Sequence, residues 1–169
     1  MSTIACTTWP TPLGPLVLAA SDKGLTGAWF DAQKHFAGPA PDWRRDDDHP
    51  VLREAIRQLA GYFAGTRQRF DLPCDPRGTP FQHAVWRSIA AVPYGEVVTY
   101  AALAALAGMP GAARAAGAAT GRNPLSIIVP CHRIVGSDGS LTGYAGGLDR
   151  KKRLLALERT VVGTARRAA

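Results

Sequence analysis

Cys131 and His132 stand side by side in Pro130-Cys131-His132-Arg133. A thiol next to an imidazole can act as a nucleophile. The thiolate is the reactive form of cysteine, and an adjacent base is a common means of making it near neutral pH. The pair follows the apolar run Ile127-Ile128-Val129, which reads as a buried strand-like segment. It precedes Gly136-Ser137-Asp138-Gly139, a glycine-broken loop. Free cysteine also serves as a small buried hydrophobe, so a chemical role depends on what else converges on this thiol.

The chain has 169 residues, enough for one ordinary domain or two small ones. Hydrophobic residues make up 46% and charged residues 20%, a soluble, globular balance. No apolar run is long enough to span a bilayer and no basic-then-apolar leader opens the chain, so a cytoplasmic protein without membrane attachment is expected. The cysteines Cys6, Cys74 and Cys131 are odd in number and form no Cys-x-x-Cys, which argues against disulfides and a structural zinc site. His35, His49, His83 and His132 show no metal-ligand spacing, and no metal or organic cofactor is expected.

The net charge is +7, and it is unevenly placed. Residues 1–79 carry nine Lys/Arg against nine Asp/Glu, whereas residues 80–169 carry eleven against four. The thiol therefore lies in a basic half suited to a polyanion, of which nucleic acid is the commonest. Arg159, Arg166 and Arg167 also fit a solvated tail, and residues 160–169 read as mobile.

The elements that must position the thiol fall into two groups. Residues 4–9, 16–20 and 25–30 read as strands of a small antiparallel sheet, with a loop at 37–49 and a helix from Pro50 to Ala64. Residues 71–79 read as linking sequence, giving an N-terminal domain at 1–72, a linker at 73–79 and a C-terminal domain at 80–169. The second domain reads as mainly helical. Thr79-Pro80 opens one helix and Thr99 caps a short one over 100–107. Gly108-Met109-Pro110-Gly111 turns the chain into another over 112–120, and a last amphipathic helix covers 148–158. Two short alanine-rich helices about a glycine turn outline a helix-turn-helix. Arg114 is the only charge between Glu96 and Arg122, a single long cation on a bare helix able to approach a groove closely.

In this setting the chain resembles the O6-alkylguanine-DNA alkyltransferases, which move the alkyl group of a damaged guanine onto their own cysteine. The resemblance is carried by residues 127–135 around Pro130-Cys131-His132-Arg133, and by Gly143-Tyr144-Ala145-Gly146-Gly147. Tyr94-Gly95-Glu96-Val97 leading to Tyr100, residues 112–117, and Asn123-Pro124 also carry it. It is strong over about 79–160; the N-terminal part matches in outline, most clearly at residues 11–15. It implies an α+β chain whose first domain is ribonuclease H-like and whose second contains the helix-turn-helix.

The resemblance implies roles for individual residues. Cys131 attacks the alkyl carbon in line, and His132 helps remove its proton, through a water if the two side chains diverge. Glu158 orients the imidazole and favours its charged form. Tyr100 supplies a proton or hydrogen bond to the departing guanine, and Asn123 pins the turn. A guanine stacked in duplex is out of reach and must rotate out. Arg114 fills the gap from the minor groove, without sequence preference, and Tyr100 also lines the DNA-facing side. Ser137 contacts phosphate; Ile134, Tyr144 and Ala145 border a pocket roomy enough for groups larger than methyl. The implied partner is double-stranded DNA carrying O6-alkylguanine, and by extension O4-alkylthymine. The protein is expected to be a monomer that acts once, with cooperative loading on DNA left open. Three rivals make different demands. A non-catalytic alkyltransferase-like damage binder lacks the nucleophile present here. A thiol hydrolase turns over repeatedly and ignores DNA. A sequence-reading regulator needs more than one polar side chain on its recognition helix.

Overall fold

The computed structural model describes residues 2–168 and contains two compact units, residues 1–77 with 124–126, and 78–123 with 127–169. The first is built on a four-stranded sheet. β1 (Ala5–Thr11), β2 (Gly14–Ser21) and β3 (Gly24–Phe30) form an antiparallel meander. β4 (Arg44–Arg45) then adds to the outer side of β1 in parallel, giving the order β3-β2-β1-β4. The sheet is therefore mixed rather than purely antiparallel, and part of the expected 37–49 loop is a strand. Two residues of such polar sequence carry no alternation that could announce one. Helix α1 (Pro50–Phe63) buries Leu52, Ala55, Leu59 and Tyr62, and its Gln58 side chain clamps the backbone of Asp71 at 2.8 and 2.9 Å.

The second unit is mainly helical. α2 (Pro80–Ala90) starts with a capping box, in which the Thr79 hydroxyl accepts from Gln82 N and the Gln82 side chain accepts from Thr79 N. Its Val85, Trp86 and Ile89 are buried with Leu103, Ala104, Ala116, Ala119 and Ile134 in one core. Trp86 Nε1 donates to Ala119 O at 2.9 Å, so the indole's one polar atom is satisfied inside that core.

After β5 (Val98–Thr99), Thr99 caps α3 (Tyr100–Leu106). Gly108 and Gly111, both at φ above +80°, turn the chain into α4 (Ala113–Gly121). The expected helix-turn-helix outline is present, with its boundaries shifted by a residue. β6 (Ile134–Val135) pairs in parallel with β5. α5 (Leu148–Ala168) continues ten residues past the expected end at 158. Residues 160–168 are helical rather than a loose tail, and Ala169 lies outside the described residues. Val161 and Val162 are half-buried, and the Val162 side chain packs where a Cβ on Gly95 would stand, at 2.7 Å. That contact extends the helix beyond the stretch whose own pattern announces it.

Candidate active site

The segment leading to the thiol departs from the sequence expectation. Ile127-Ile128-Val129 is a turn, not a strand, and Ile127 has φ of +71°. This left-handed conformation is strained for a β-branched residue. Ile127 is fully buried nonetheless, so surrounding packing holds the strain in place. Cys131–Arg133 then form one turn of 3-10 helix. Side chains in such a turn do not alternate between two faces, as they would in an extended segment.

Cys131 keeps 5% of its surface exposed, so its sulfur lies at the bottom of the surface rather than on it. Burial pushes its pKa up, while a hydrogen bond from the Asn123 side chain and the positive charge of Lys151 oppose that rise. The resting form is therefore the thiol, whose proton must be removed before it can attack. The physical reason is that an anion loses most by leaving water. Asn123 also donates through Nδ2 to Val129 O at 2.9 Å, so one amide serves both the turn and the sulfur.

His132 and Glu158 are fully buried, with Nε2 of the imidazole 3.1 Å from Oε1 of the carboxylate. Burial drives the imidazole pKa down, the carboxylate drives it up, and Arg133 and Lys151 drive it down again. The net direction is down, so His132 is neutral at rest. Glu158 favours the charged ring, as the sequence suggested, but burial outweighs it, and Arg133 and Lys151 add to the burial. Arg133 donates to both Glu158 oxygens and to Val92 O at 2.7 Å, with its guanidinium 5.5 Å from the centre of the Tyr94 ring. Burial alone would raise the Glu158 pKa; hydrogen bonds and charge from His132 and Arg133 outweigh it and hold the carboxylate ionised. The other imidazole nitrogen, Nδ1, is buried and has no protein hydrogen-bond partner.

Tyr100, the first residue of α3, is half-buried, and its hydroxyl donates to Thr142 O at 3.0 Å. Burial raises its pKa, as does the negative charge of Cys131 once that thiol ionises, with the Thr142 hydrogen bond pulling the other way. The phenol keeps its proton and can give it up only to something that becomes strongly basic. Ile134 is buried in β6, while Tyr144 and Ala145 are half-buried in the following loop. Tyr144 packs against the core cluster that contains Cys131.

Arg114 is exposed in the first turn of α4, where a cation opposes the helix dipole. That placement fits recognition of an outside partner better than support of the helix. Ser137 is exposed in the 136–140 turn, away from the buried cluster. The structure thus draws Cys131, Asn123, His132, Glu158 and Tyr100 into one unit and leaves Arg114 and Ser137 on its surface. Sequence reading missed Arg133, Lys151 and Tyr94. Arg133 was legible only as part of the Pro-Cys-His-Arg motif, and Lys151 was masked by the cations around it. Among the described residues no His/Cys/Asp/Glu group is arranged to hold a metal, and no helix is long and apolar enough to cross a membrane.

Residues 80–160 match the family model of the 6-O-methylguanine DNA methyltransferase DNA binding domain, and residues 4–76 match that family's ribonuclease-like domain. The chain is 49% identical over 149 residues to a methylated-DNA–protein-cysteine methyltransferase of Methanosarcina barkeri, covering 88% of this chain and 92% of that protein. It is 39% identical over 160 residues to the protein of that name from Haemophilus influenzae, covering 94% and 88%. Among solved structures, Mycobacterium tuberculosis OGT in complex with DNA superposes with a TM-score of 0.85 at 43% identity, over 94% of each chain.

Proposed function

Because the chain belongs to the 6-O-methylguanine DNA methyltransferase family, we propose that it repairs alkylated DNA by moving the O6-alkyl group of guanine onto the sulfur of Cys131. The observation that carries this reading is the convergence of a nearly buried thiol, a neutral imidazole held by a carboxylate, and a protonated phenol within one unit.

A neutral thiol beside a neutral imidazole is the stable resting arrangement in a dry site, since neither group bears an uncompensated charge. When the substrate arrives, the thiol proton passes to His132. The free Nδ1 suits it to accept that proton through a water, while Glu158 steadies the imidazolium. The thiolate attacks the alkyl carbon, the S–C bond forms and the C–O6 bond breaks. The electron pair leaves with guanine, and Tyr100 supplies the proton or hydrogen bond that base needs. The product thioether is a poor leaving group, so each molecule acts once. The transferred group comes with the substrate, and the step needs no cofactor.

The target guanine leaves the stack to reach the sulfur, at a cost of a few kcal/mol. Arg114 enters from the minor groove and fills the vacated place, which gives no sequence preference. Ser137 contacts phosphate, and Ile134, Tyr144 and Ala145 border the guanine pocket. The protein acts as a monomer on damaged double-stranded DNA. O4-alkylthymine presents a similar alkyl ether and is a second substrate. Titrating an O6-methylguanine duplex with protein tests the reading. Repair stops at one lesion per chain and Cys131→Ser repairs none; continued turnover, or repair by the serine variant, overturns it.

A further inference from the structure

Lys151 lies among four successive cations, Arg150-Lys151-Lys152-Arg153, at the start of α5. It is the one of the four with 0% exposure. Among the described residues no carboxylate pairs with it; its ammonium instead donates to Ile134 O at 2.5 Å and to Thr142 O and Gly143 O, each at 3.2 Å. An ammonium has three protons, and three carbonyls receive them. Burying a cation this way is costly unless something depends on it. One of the three carbonyls is special: Thr142 O is also the acceptor for the Tyr100 hydroxyl.

We infer that Lys151 is a positioning residue for Tyr100, acting through the carbonyl of Thr142 that the two side chains share. In the resting site Lys151 fixes where that carbonyl stands, and so where the phenol points. When the phenol turns its proton toward the departing base, Thr142 O loses one donor. Lys151 keeps it hydrogen-bonded, so the carbonyl holds its place as the phenol turns away and back. The same ammonium ties β6 to the 142–143 loop beside Tyr144. This inference rests on the alkyl-transfer reading and adds a residue to it.

The test is a double-mutant cycle on transfer from O6-benzylguanine, comparing wild type, Lys151→Met, Tyr100→Phe and the double variant. Cys131 alkylation by iodoacetamide runs alongside, because iodide departs without needing a proton. Lys151→Met slows benzyl transfer about tenfold or more, within the range of general acid effects. The double variant is no slower than Tyr100→Phe by more than about twofold, the mark of two residues acting through one path. Iodoacetamide alkylation of Lys151→Met falls clearly less than benzyl transfer does, its smaller loss reporting the positive charge that Lys151 also lends to Cys131. Additive losses, or an iodoacetamide loss equal to the transfer loss, overturn the inference and put Lys151 on the fold or on the sulfur. Should Lys151→Met not fold, Lys151→Arg enters the same cycle. It keeps the charge, but its planar fork cannot serve three carbonyls around one point, so the same pattern is required and unchanged transfer overturns the inference. A wild-type protein inert toward both benzylguanine and methylated duplex would instead sink the alkyl-transfer reading, whatever Lys151 does.

Discussion

Arg133 holds Glu158 by two nitrogens, with Nε 2.9 Å from Oε1 and 3.2 Å from Oε2 and Nη2 also on Oε1. The contact is buried, and it decides how much of the carboxylate's charge reaches His132. The carboxylate orients the ring and favours its charged form, but burial outweighs that pull and leaves the ring neutral. Glu158→Gln leaves Arg133 without its counter-ion and is expected to destabilise the protein by about 3 kcal/mol, the low end for breaking a buried pair because the amide keeps part of the hydrogen bonding. Urea unfolding checks this, and a loss below about 1 kcal/mol would mean that the guanidinium does not depend on Glu158.

The directions of the pKa shifts set the pH behaviour. His132 is held below its ordinary value by burial, so the base stays unprotonated further into acid than a free imidazole does. The acid limb of the transfer rate is therefore expected below about pH 6.5, the ordinary histidine value. An acid limb above that pH would mean the imidazole is charged at rest.

Stability follows with the same sign. The unfolded chain takes up the His132 proton at the ordinary value, while the folded chain resists it, so stability falls as pH drops below about 6.5. Glu158, depressed in the fold, adds stability above the ordinary carboxylate range that is lost as pH falls through its folded value. The urea midpoint is expected to hold from pH 8 to about pH 6.5 and to decline from there to pH 5; a midpoint that rises below about pH 6.5 contradicts the His132 shift.

Arg114 is exposed and makes no part of the buried cluster. Arg114→Ala should cut repair of alkylated duplex about tenfold or more, while transfer from free O6-benzylguanine stays within about twofold. Equal losses on both substrates would remove the base-flipping role.

Ala145 is half-buried next to Tyr144. A larger residue there, Ala145→Leu, should slow benzyl transfer several-fold more than methyl transfer, because added volume excludes the larger group first. Competing methylated and benzylated oligonucleotides read this directly, and an unchanged preference would move the pocket wall elsewhere.

Much of this site was legible in the chain because its chemistry is local. Pro130-Cys131-His132-Arg133 is contiguous, Thr99 announces the helix that begins with Tyr100, and the glycines at 108 and 111 mark the turn before Arg114. What was hidden depends on three-dimensional context. Ile127-Ile128-Val129 has a strand's composition, yet a positive φ at Ile127 makes it a turn, and no local propensity predicts a β-branched residue there. The last helix was read short, because residues 159–168 carry little apolar pattern and gain their support from contacts such as Val162 against Gly95. Lys151 resembles its three cationic neighbours until the fold buries one of the four. The neutrality of His132 was invisible too, because it depends on the fold burying the ring completely.

The most direct measurement is mass spectrometry of the whole chain and its peptides after incubation with an excess of O6-methylguanine duplex. The account predicts one methyl group per chain, on the sulfur of Cys131, with no further lesion repaired once that sulfur is occupied. An unmodified Cys131 beside repaired DNA, a methyl group on another residue, or repair beyond one lesion per chain would contradict it.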